Sequence, residues 1–558
     1  MTNDATTGVR DEAQDAKTMR TVVGASAAGT AFEWYDFFIF GSLTAVIARH
    51  FYADVGEAAS YILALLTFGV GFVVRPLGAL VFGWFGDRTG RKTTFLVTIT
   101  LMGVATVAIG LLPDYEQIGI AAPILLIVMR ILQGFALGGE YGGAAIYVAE
   151  HAPRGKRGYL TGWIQTTAAL GLIGALSVIL ATRAIVGAEA FDEWGWRIPF
   201  LLSALLLGVS LWIRLQLNES PAYERMKAEA GEKRAPYVES FLRWNNARFV
   251  LIALFGIMIA QGAVWYCGYF YARFFMERVL KVEVNTVDQL MLAVTAVSAF
   301  LYVFFAWLSD RVGRKPVMLF GMLLALAAFF PGFQALTRAA NPALAEAQAG
   351  APVVVVADPA TCAVQFDPVG KTAFASSCDI AKSVLSNAGI SYANEAAAPG
   401  TLAVVRVGAT GVSSVEGEAL DAAALKAARA DVESRIKGAL VAAGYPERAD
   451  PARINLPAVF GILMIFIIAA TALYGPQAAA LVELFPTRVR YTAMSLPYHV
   501  GTGWVGGLLP AASFALVAWS GNIYFGLWYA AAFTAVAVVV ALIWLPETKG
   551  RDLDTIGR

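Results

Sequence analysis

Histidine and cysteine are scarce, three of each in 558 residues. That argues against a disulfide scaffold or a histidine-rich metal centre. Charge is scarce as well: 15% of the residues are Asp, Glu, Lys or Arg, against about 25% in soluble domains. The 42 basic and 41 acidic side chains nearly cancel, leaving a net charge of +1. Such balance supplies no electrostatic footprint for nucleic acid, and no nucleic-acid partner is expected. There is no phosphate-binding loop of the glycine-x4-Gly-Lys-Ser/Thr type, no nucleophile elbow and no Cys-x-x-Cys pair. The chain therefore reads as neither an enzyme nor a nucleotide-driven pump, with no cofactor and no metal. Apolar residues, by contrast, make up 58% of the chain, and the mean hydropathy is +0.62. This composition predicts a polytopic membrane protein.

A helix needs about 20 apolar residues to cross a bilayer, and runs of that order occur twelve times. They lie near 20–46, 58–83, 93–113, 121–149, 159–184 and 197–217, then 249–276, 287–309, 316–336, 455–480, 491–519 and 523–545. Residues 1–17 read as a disordered polar tail without a cleavable signal peptide. Residues 18–217 read as a first six-helix bundle, 218–248 as a charged linker, 249–336 and 455–545 as the second bundle, and 546–558 as a closing tail. Basic residues such as Arg88, Arg91, Lys92, Arg311, Arg314 and Lys315 collect on one side. The short opposite loops hold only Arg49, Arg183, Arg197, Arg278 and Lys281. By the positive-inside rule both termini are expected in the cytoplasm.

Residues 337–454 break the pattern, being Ala-rich but ordinarily charged, and are expected as a small α/β extracytoplasmic insertion between the ninth and tenth helices. Val353 to Ala357 and Leu402 to Val407 read as strands. The stretch 419–443 reads as a helix, with Leu425, Ala428, Val432, Ile436 and Leu440 along one stripe. Cys362 and Cys378 fall in this segment. Outside the cytoplasm a disulfide between them is expected, the rival being two unpaired thiols in a loose loop. The insertion is weighed as a decoration without transport chemistry against a ligand-sensing module.

Gly83-Trp84-Phe85-Gly86-Asp87-Arg88-Thr89-Gly90-Arg91-Lys92 lies between helices two and three. Ala306-Trp307-Leu308-Ser309-Asp310-Arg311-Val312-Gly313-Arg314-Lys315 repeats its grammar between helices eight and nine. A repeat six helices apart marks two structural halves. Gly90 and Gly313 allow tight turns with positive φ. Asp87 and Asp310 suit a helix N-terminus or an arginine partner, which makes the turns a latch between bundles. The latch residues are Gly83, Asp87, Arg88, Gly90, Arg91, Asp310, Arg311, Gly313 and Arg314. Ala306 and Ser309 depart from the first copy and are expected to loosen the second.

These paired turns resemble the signature of the major facilitator superfamily, and Arg130-Ile131-Leu132-Gln133-Gly134 is similar to its fourth-helix motif. Pro546-Glu547-Thr548-Lys549-Gly550 is similar to the turn that closes its sugar-porter-like branch. Glu33-Trp34-Tyr35-Asp36-Phe37-Phe38, Arg75-Pro76-Leu77-Gly78 and Gly138-Gly139-Glu140-Tyr141-Gly142-Gly143 together look like the metabolite:proton symporter family. That family holds the proline/betaine, α-ketoglutarate, citrate and shikimate carriers of bacteria. The resemblance implies an all-α polytopic membrane protein of the major facilitator fold, with twelve transmembrane helices in two six-helix bundles. It covers all but 1–17 and 337–454.

Ionisable groups at membrane depth are costly unless paired or hydrated, so each is a functional candidate. Glu33 and Asp36 share one face of the first helix, and with Glu140 are the proton-coupling candidates; static ion pairing is the alternative. Gly134, Gly138 and Gly142 favour close helix contact beside Glu140. Arg75 and Arg130 suit a carboxylate, whether on the substrate or within the bundle. Gln261, Tyr266, Tyr269 and Tyr474, with Tyr35, complete the substrate-binding candidates, as polar-tipped aromatics suit a cavity wall. Tyr498 and His499 are weaker ones. Glu150 is placed near the Asp87 latch. The function expected is import of a small polar metabolite, carboxylate-bearing or zwitterionic, by proton symport with alternating access. The setting expected is the bacterial inner membrane, as a monomer in contact with lipid. The rivals are a membrane sensor reading ligand through the insertion, and an uncoupled facilitator.

Overall fold

The computed structural model describes residues 23–553 except 25–26, 54–56, 90, 140, 154, 216–236, 364–374 and 487–488. Among the described residues nine helices are long and apolar enough to cross a membrane, and eleven when each of two bent pairs counts as one span. The bent pairs are Ala27–Ser42 with Thr44–Phe51, at 61°, and Ala188–Gly195 with Arg197–Trp212, at 63°. The expected third span falls on a shorter apolar helix, Leu96–Leu111. Helices are what a bilayer demands, because they satisfy every interior backbone group within the segment.

Helices two and four meet through glycine. A Cβ on Gly134 would overlap the carbonyl of Gly71, and one on Gly138 the carbonyl of Arg75. Between the halves, the most extensive packing joins the fifth helix, Arg157–Val186, to the eighth, Val284–Val312. The turn into the ninth helix, Arg314–Ala340, passes through Gly313 at φ +112°, a value that favours glycine. The seventh span, Trp244–Val279, widens into π turns at Leu254–Met258, Cys267–Tyr271 and Phe275–Val279. The eleventh does so at Val500–Gly506. Such turns are frequent at functional sites in helices.

The insertion carries a four-stranded sheet in the order β2-β1-β3-β4. The strands are β1 Val353–Ala357, β2 Tyr392–Ala396, β3 Val404–Val407 and β4 Thr410–Ser413. β1 and β2 are parallel and joined through the helix Ser377–Ala388; the other pairs are antiparallel. The helix Ala422–Ala442 buries Val432, Ile436 and Leu440, with Leu425 and Ala428 partly covered. Cys362 and Cys378 are joined by a disulfide. The insertion is tied to loops of the second half: Tyr392 N donates to Gly521 O at 2.8 Å, Ile523 N to Ser391 Oγ at 3.0 Å, and Ala449 N to Lys281 O at 3.1 Å.

Candidate functional site

Two arginines of the first half are fully buried, Arg75 on the second helix and Arg130 on the fourth. Arg130 Nη1 donates to Gln133 Oε1 at 2.8 Å and Nη2 to Phe68 O at 3.0 Å. Its guanidinium also lies 4.4 Å from the Phe40 ring centre and 4.6 Å from that of Phe37. Arg75 sits 4.2 Å over Phe72 and 4.3 Å over Phe37. Cation–π contact supports it; its nitrogens meet no partner at strict hydrogen-bond geometry among the described residues, the Tyr266 hydroxyl being the side chain close enough to interact with it. Tyr266, Tyr498 and Tyr474 of the second half lie within its electrostatic reach, Tyr266 the nearest in effect. A guanidinium keeps its proton even when buried. This one therefore presents charge to the interface between halves, and among the described residues no carboxylate pairs with it.

The facing wall is phenolic. Trp265 Nε1 donates to Tyr302 OH at 2.7 Å, and the Tyr269 and Tyr302 hydroxyls are 3.2 Å apart. The Tyr474 and Tyr498 hydroxyls are 3.1 Å apart, and the rings of Tyr302 and Tyr474 meet at 5.6 Å. Buried polar atoms lacking hydrogen bonds among the described residues gather on the same helices, Gln261 Oε1 and both amide atoms of Gln477, with the His499 ring set beside the Gly138 backbone. Native interiors satisfy nearly all such groups, so this cluster is the place to look for a polar ligand. Tyr266, Tyr269, Tyr474 and Gln261, expected from the sequence as binding candidates, lie on these facing helices; Tyr302, a phenol inside an otherwise apolar eighth span, was not expected there.

The carboxylates lie elsewhere. Asp36 is buried against the hydroxyls of Ser203 and Thr106, on helices six and three. Thr106 Oγ1 accepts from Gln133 Nε2 at 2.7 Å, and Gln133 in turn holds Arg130. A polar thread therefore runs from Asp36 through Thr106 and Gln133 to Arg130. Among the described residues no ion pair holds Asp36. Glu33 is buried one turn earlier. Tyr35 is also corrected, since its hydroxyl donates to Pro199 O at 3.0 Å inside the first half rather than joining the central wall. Glu140 lies outside the described residues.

At the end of the repeated turns the halves are locked together. Asp310 of the second half accepts the backbone N–H groups of Gly158 and Tyr159, at 2.9 and 2.7 Å, which begin the fifth helix of the first half. It also pairs with Arg314 at 2.7 Å. Glu483, fully buried, receives Arg157 at 2.8 Å from the first half, Arg314 at 3.3 Å and Thr548 Oγ1 at 2.8 Å. Glu150 pairs with Arg490 across the halves at 2.9 Å. Tyr491 OH donates to Gly139 O, and Gly83 faces the Tyr491 ring. Glu547 accepts the N–H groups of Arg314 and Lys315, holding the closing turn to the ninth helix. The Arg311 guanidinium stacks 4.0 Å over Trp307. Ser309 fills the second latch, accepting from Arg314 Nη1 at 2.8 Å. Gly90 and the side chains of Asp87, Arg88 and Arg91 lie outside the described residues. Glu483, Arg157 and Arg490, which tie the halves together here, were not among the residues expected from the sequence.

At the opposite end a cavity of about 500 Å³ separates the halves, lined by Leu43, Arg49, Arg183, Asp192, Arg273 and Asp288 among others. Arg49 pairs with Asp192 at 2.9 Å within the first half, and Arg273 with Asp288 at 2.8 Å within the second. One half's charges thus face the other's across the opening.

Comparison with known proteins places the same elements in a wider set. The chain matches the description "sugar (and other) transporter" over residues 21–237 and 438–558, and "MFS/sugar transport protein" over 143–357. It is 38% identical over 314 residues to the shikimate transporter of Escherichia coli (strain K12), covering 56% of this chain and 71% of that one. It is 34% identical over 325 residues to the proline/betaine transporter of Salmonella typhimurium (strain LT2), covering 56% of this chain and 64% of the relative. Among solved structures it resembles a proton:xylose symporter bound to 6-bromo-6-deoxy-D-glucose. That likeness has a TM-score of 0.60 at 16% identity and covers 97% of this chain and 98% of the other, showing the shared fold.

Proposed function

Since the chain belongs to the sugar (and other) transporter family of the major facilitator superfamily, we propose that it imports a small carboxylate-bearing or zwitterionic metabolite together with protons. The observation that carries the substrate class is Arg75. Its guanidinium is buried and stacked on phenylalanines, has no carboxylate partner among the described residues, and faces tyrosines of the other half. Leaving a cation uncompensated in a low dielectric is costly, and a substrate carboxylate would relieve that cost while bridging the halves. Tyr266, Tyr474 and Gln261 would then contact the remainder of the substrate.

Coupling is assigned to Asp36. Its carboxyl is buried beside hydroxyls, where either protonation state can be hydrogen-bonded, and the Thr106–Gln133 thread links it to Arg130. A substrate anion near the arginines offsets the positive field that favours the carboxylate and so favours the protonated Asp36, which couples the two occupancies.

The repeated turns are taken as cytoplasmic and the insertion as outside, in the bacterial inner membrane, with the carrier working as a monomer. In that frame the inner side is locked by Asp310 and Glu483, the proposed binding residues are enclosed, and the outer cavity, beside which Arg273 Nη2 donates to Ser42 O at 3.4 Å, marks the side from which substrate would enter. Opening inward requires those contacts to break as the halves rock. A thermal-shift panel of organic acids, amino acids, betaines and neutral sugars on the purified protein tests the substrate class. Stabilisation by carboxylates, lost in Arg75→Gln, is expected; stabilisation by neutral sugars alone would overturn the reading.

A further inference from the structure

The insertion has a feature that transport does not use. Cys362 follows β1 by five residues, after a short turn at Pro359–Thr361, and Cys378 sits in the first turn of the helix Ser377–Ala388 that leads to β2. Both sulfurs therefore lie at the carboxyl end of the strand in a parallel βαβ unit, where open α/β sheets place their reactive groups. A cysteine pair on such a unit is the setting that thioredoxin-like redox proteins use. Here the two are spread over a sequence separation of 16 rather than held in one Cys-x-x-Cys turn.

The two sulfurs are unequal. Cys378 is fully buried, whereas Cys362 is partly exposed. Cys378 stands at a helix N-terminus, where the helix dipole favours a thiolate. The surroundings are fixed by several bonds. Ser376 Oγ accepts from Asp379 N at 3.1 Å and donates to Thr361 O at 2.6 Å, and Asp379 accepts from Ala363 N at 2.8 Å. Asp358, just before the turn, accepts the N–H groups of Ala360 and Gly400, each bond holding its carboxyl below the usual range. Lys382, one helical turn beyond Cys378, is half-buried with its ammonium pKa lowered by that burial.

We propose that Cys362–Cys378 is an exchangeable disulfide that reacts with dithiols, Cys362 being the sulfur attacked and Cys378 the leaving group. The incoming thiolate bonds to Cys362 Sγ, the bond between the two sulfurs breaks, and its electron pair departs on Cys378 Sγ as a thiolate. The second thiol of the dithiol then displaces Cys362. The dithiol ends as a disulfide, the protein pair ends reduced, and the two protons lost by the reagent are regained by the cysteines. The insertion is thereby a redox module carried on the second half, a role that does not depend on which solute the helices move.

The test uses the full chain in nanodiscs. Cys378→Ser, which leaves Cys362, and Cys362→Ser, which leaves Cys378, are each incubated with oxidised glutathione and followed by intact mass. The Cys378→Ser variant should form the mixed disulfide at least about tenfold faster, as an exposed sulfur reacts and a buried one does not. In parallel the wild-type chain is titrated with dithiothreitol, and the pair should open while amide hydrogen exchange in Val353–Ala357 and Ser377–Ala388 still reports a folded insertion, which itself holds no tryptophan. Equal rates for the two variants, or a faster Cys362→Ser, would overturn the assignment. So would a wild-type disulfide that opens only on unfolding, and this second measurement decides alone if neither variant folds.

Discussion

Asp310 accepts the backbone N–H of Gly158 in the first turn of the fifth helix, although the two residues belong to different halves of the molecule. A single carboxylate thus satisfies two orphan backbone donors of the fifth helix, at Gly158 and Tyr159, and at the same time neutralises Arg314. In the proposed transport cycle this contact breaks when that end opens, which is the basis for assigning Asp310 as a latch.

Asp310→Ala should therefore weaken the closed state by about 0.5–2 kcal/mol, the usual worth of an N-cap. Spin labels at positions 159 and 311 should report a broader, longer distance distribution than in the otherwise unchanged chain. An unaltered distribution would remove Asp310 from the latch.

Glu483 should matter more. Replacing it with Gln leaves Arg157 and Arg314 buried without their shared anion, a loss of about 3–5 kcal/mol when one partner of a buried pair is removed. The expected readout is a marked fall in melting temperature, recovered in part when Arg157 is also replaced by Met. A Glu483→Gln protein that melts like the parent would show the network to be dispensable.

Gly134 and Gly208 offer a matched comparison. A Cβ at Gly134 meets the Gly71 carbonyl, whereas one at Gly208 meets nothing within 4 Å. Gly134→Ala should cost about 1–3 kcal/mol or more by overpacking, seen as reduced yield and melting temperature. Gly208→Ala should be neutral. Equal behaviour of the two would contradict the close approach of helices two and four.

Arg75→Lys keeps the charge but loses the planar fork that binds a carboxylate through two bonds. Binding of the preferred anion, measured by calorimetry, should weaken about tenfold or more, the discrimination expected from one lost charge-assisted hydrogen bond. Tyr302→Phe should weaken binding less, because the Tyr302 hydroxyl acts through Trp265 and Tyr269. A larger loss from Tyr302→Phe than from Arg75→Lys would place the anion against the phenols instead.

The fold class and family were legible because long apolar runs have no soluble use and because the Gly83 and Ala306 stretches repeat one grammar. The insertion was half legible. β1 is all valine until its last residue, but β2, Tyr-Ala-Asn-Glu-Ala, lacks any apolar alternation and is a strand only because β1 pairs with it. At the site, helical spacing put Glu33 and Asp36 on one face, yet could not say whether that face looks inward to Ser203 or across to Tyr266. That depends on packing between helices far apart in sequence. Glu483 was invisible for the same reason, its partners Arg157 and Thr548 lying 326 and 65 residues away.

Coupling through Asp36 is tested most directly in proteoliposomes with an imposed pH difference, acid outside. The parent chain should concentrate its substrate, whereas Asp36→Asn should exchange labelled for unlabelled substrate at equilibrium yet fail to concentrate it. Accumulation by Asp36→Asn equal to that of the parent, under the same gradient, would contradict the account.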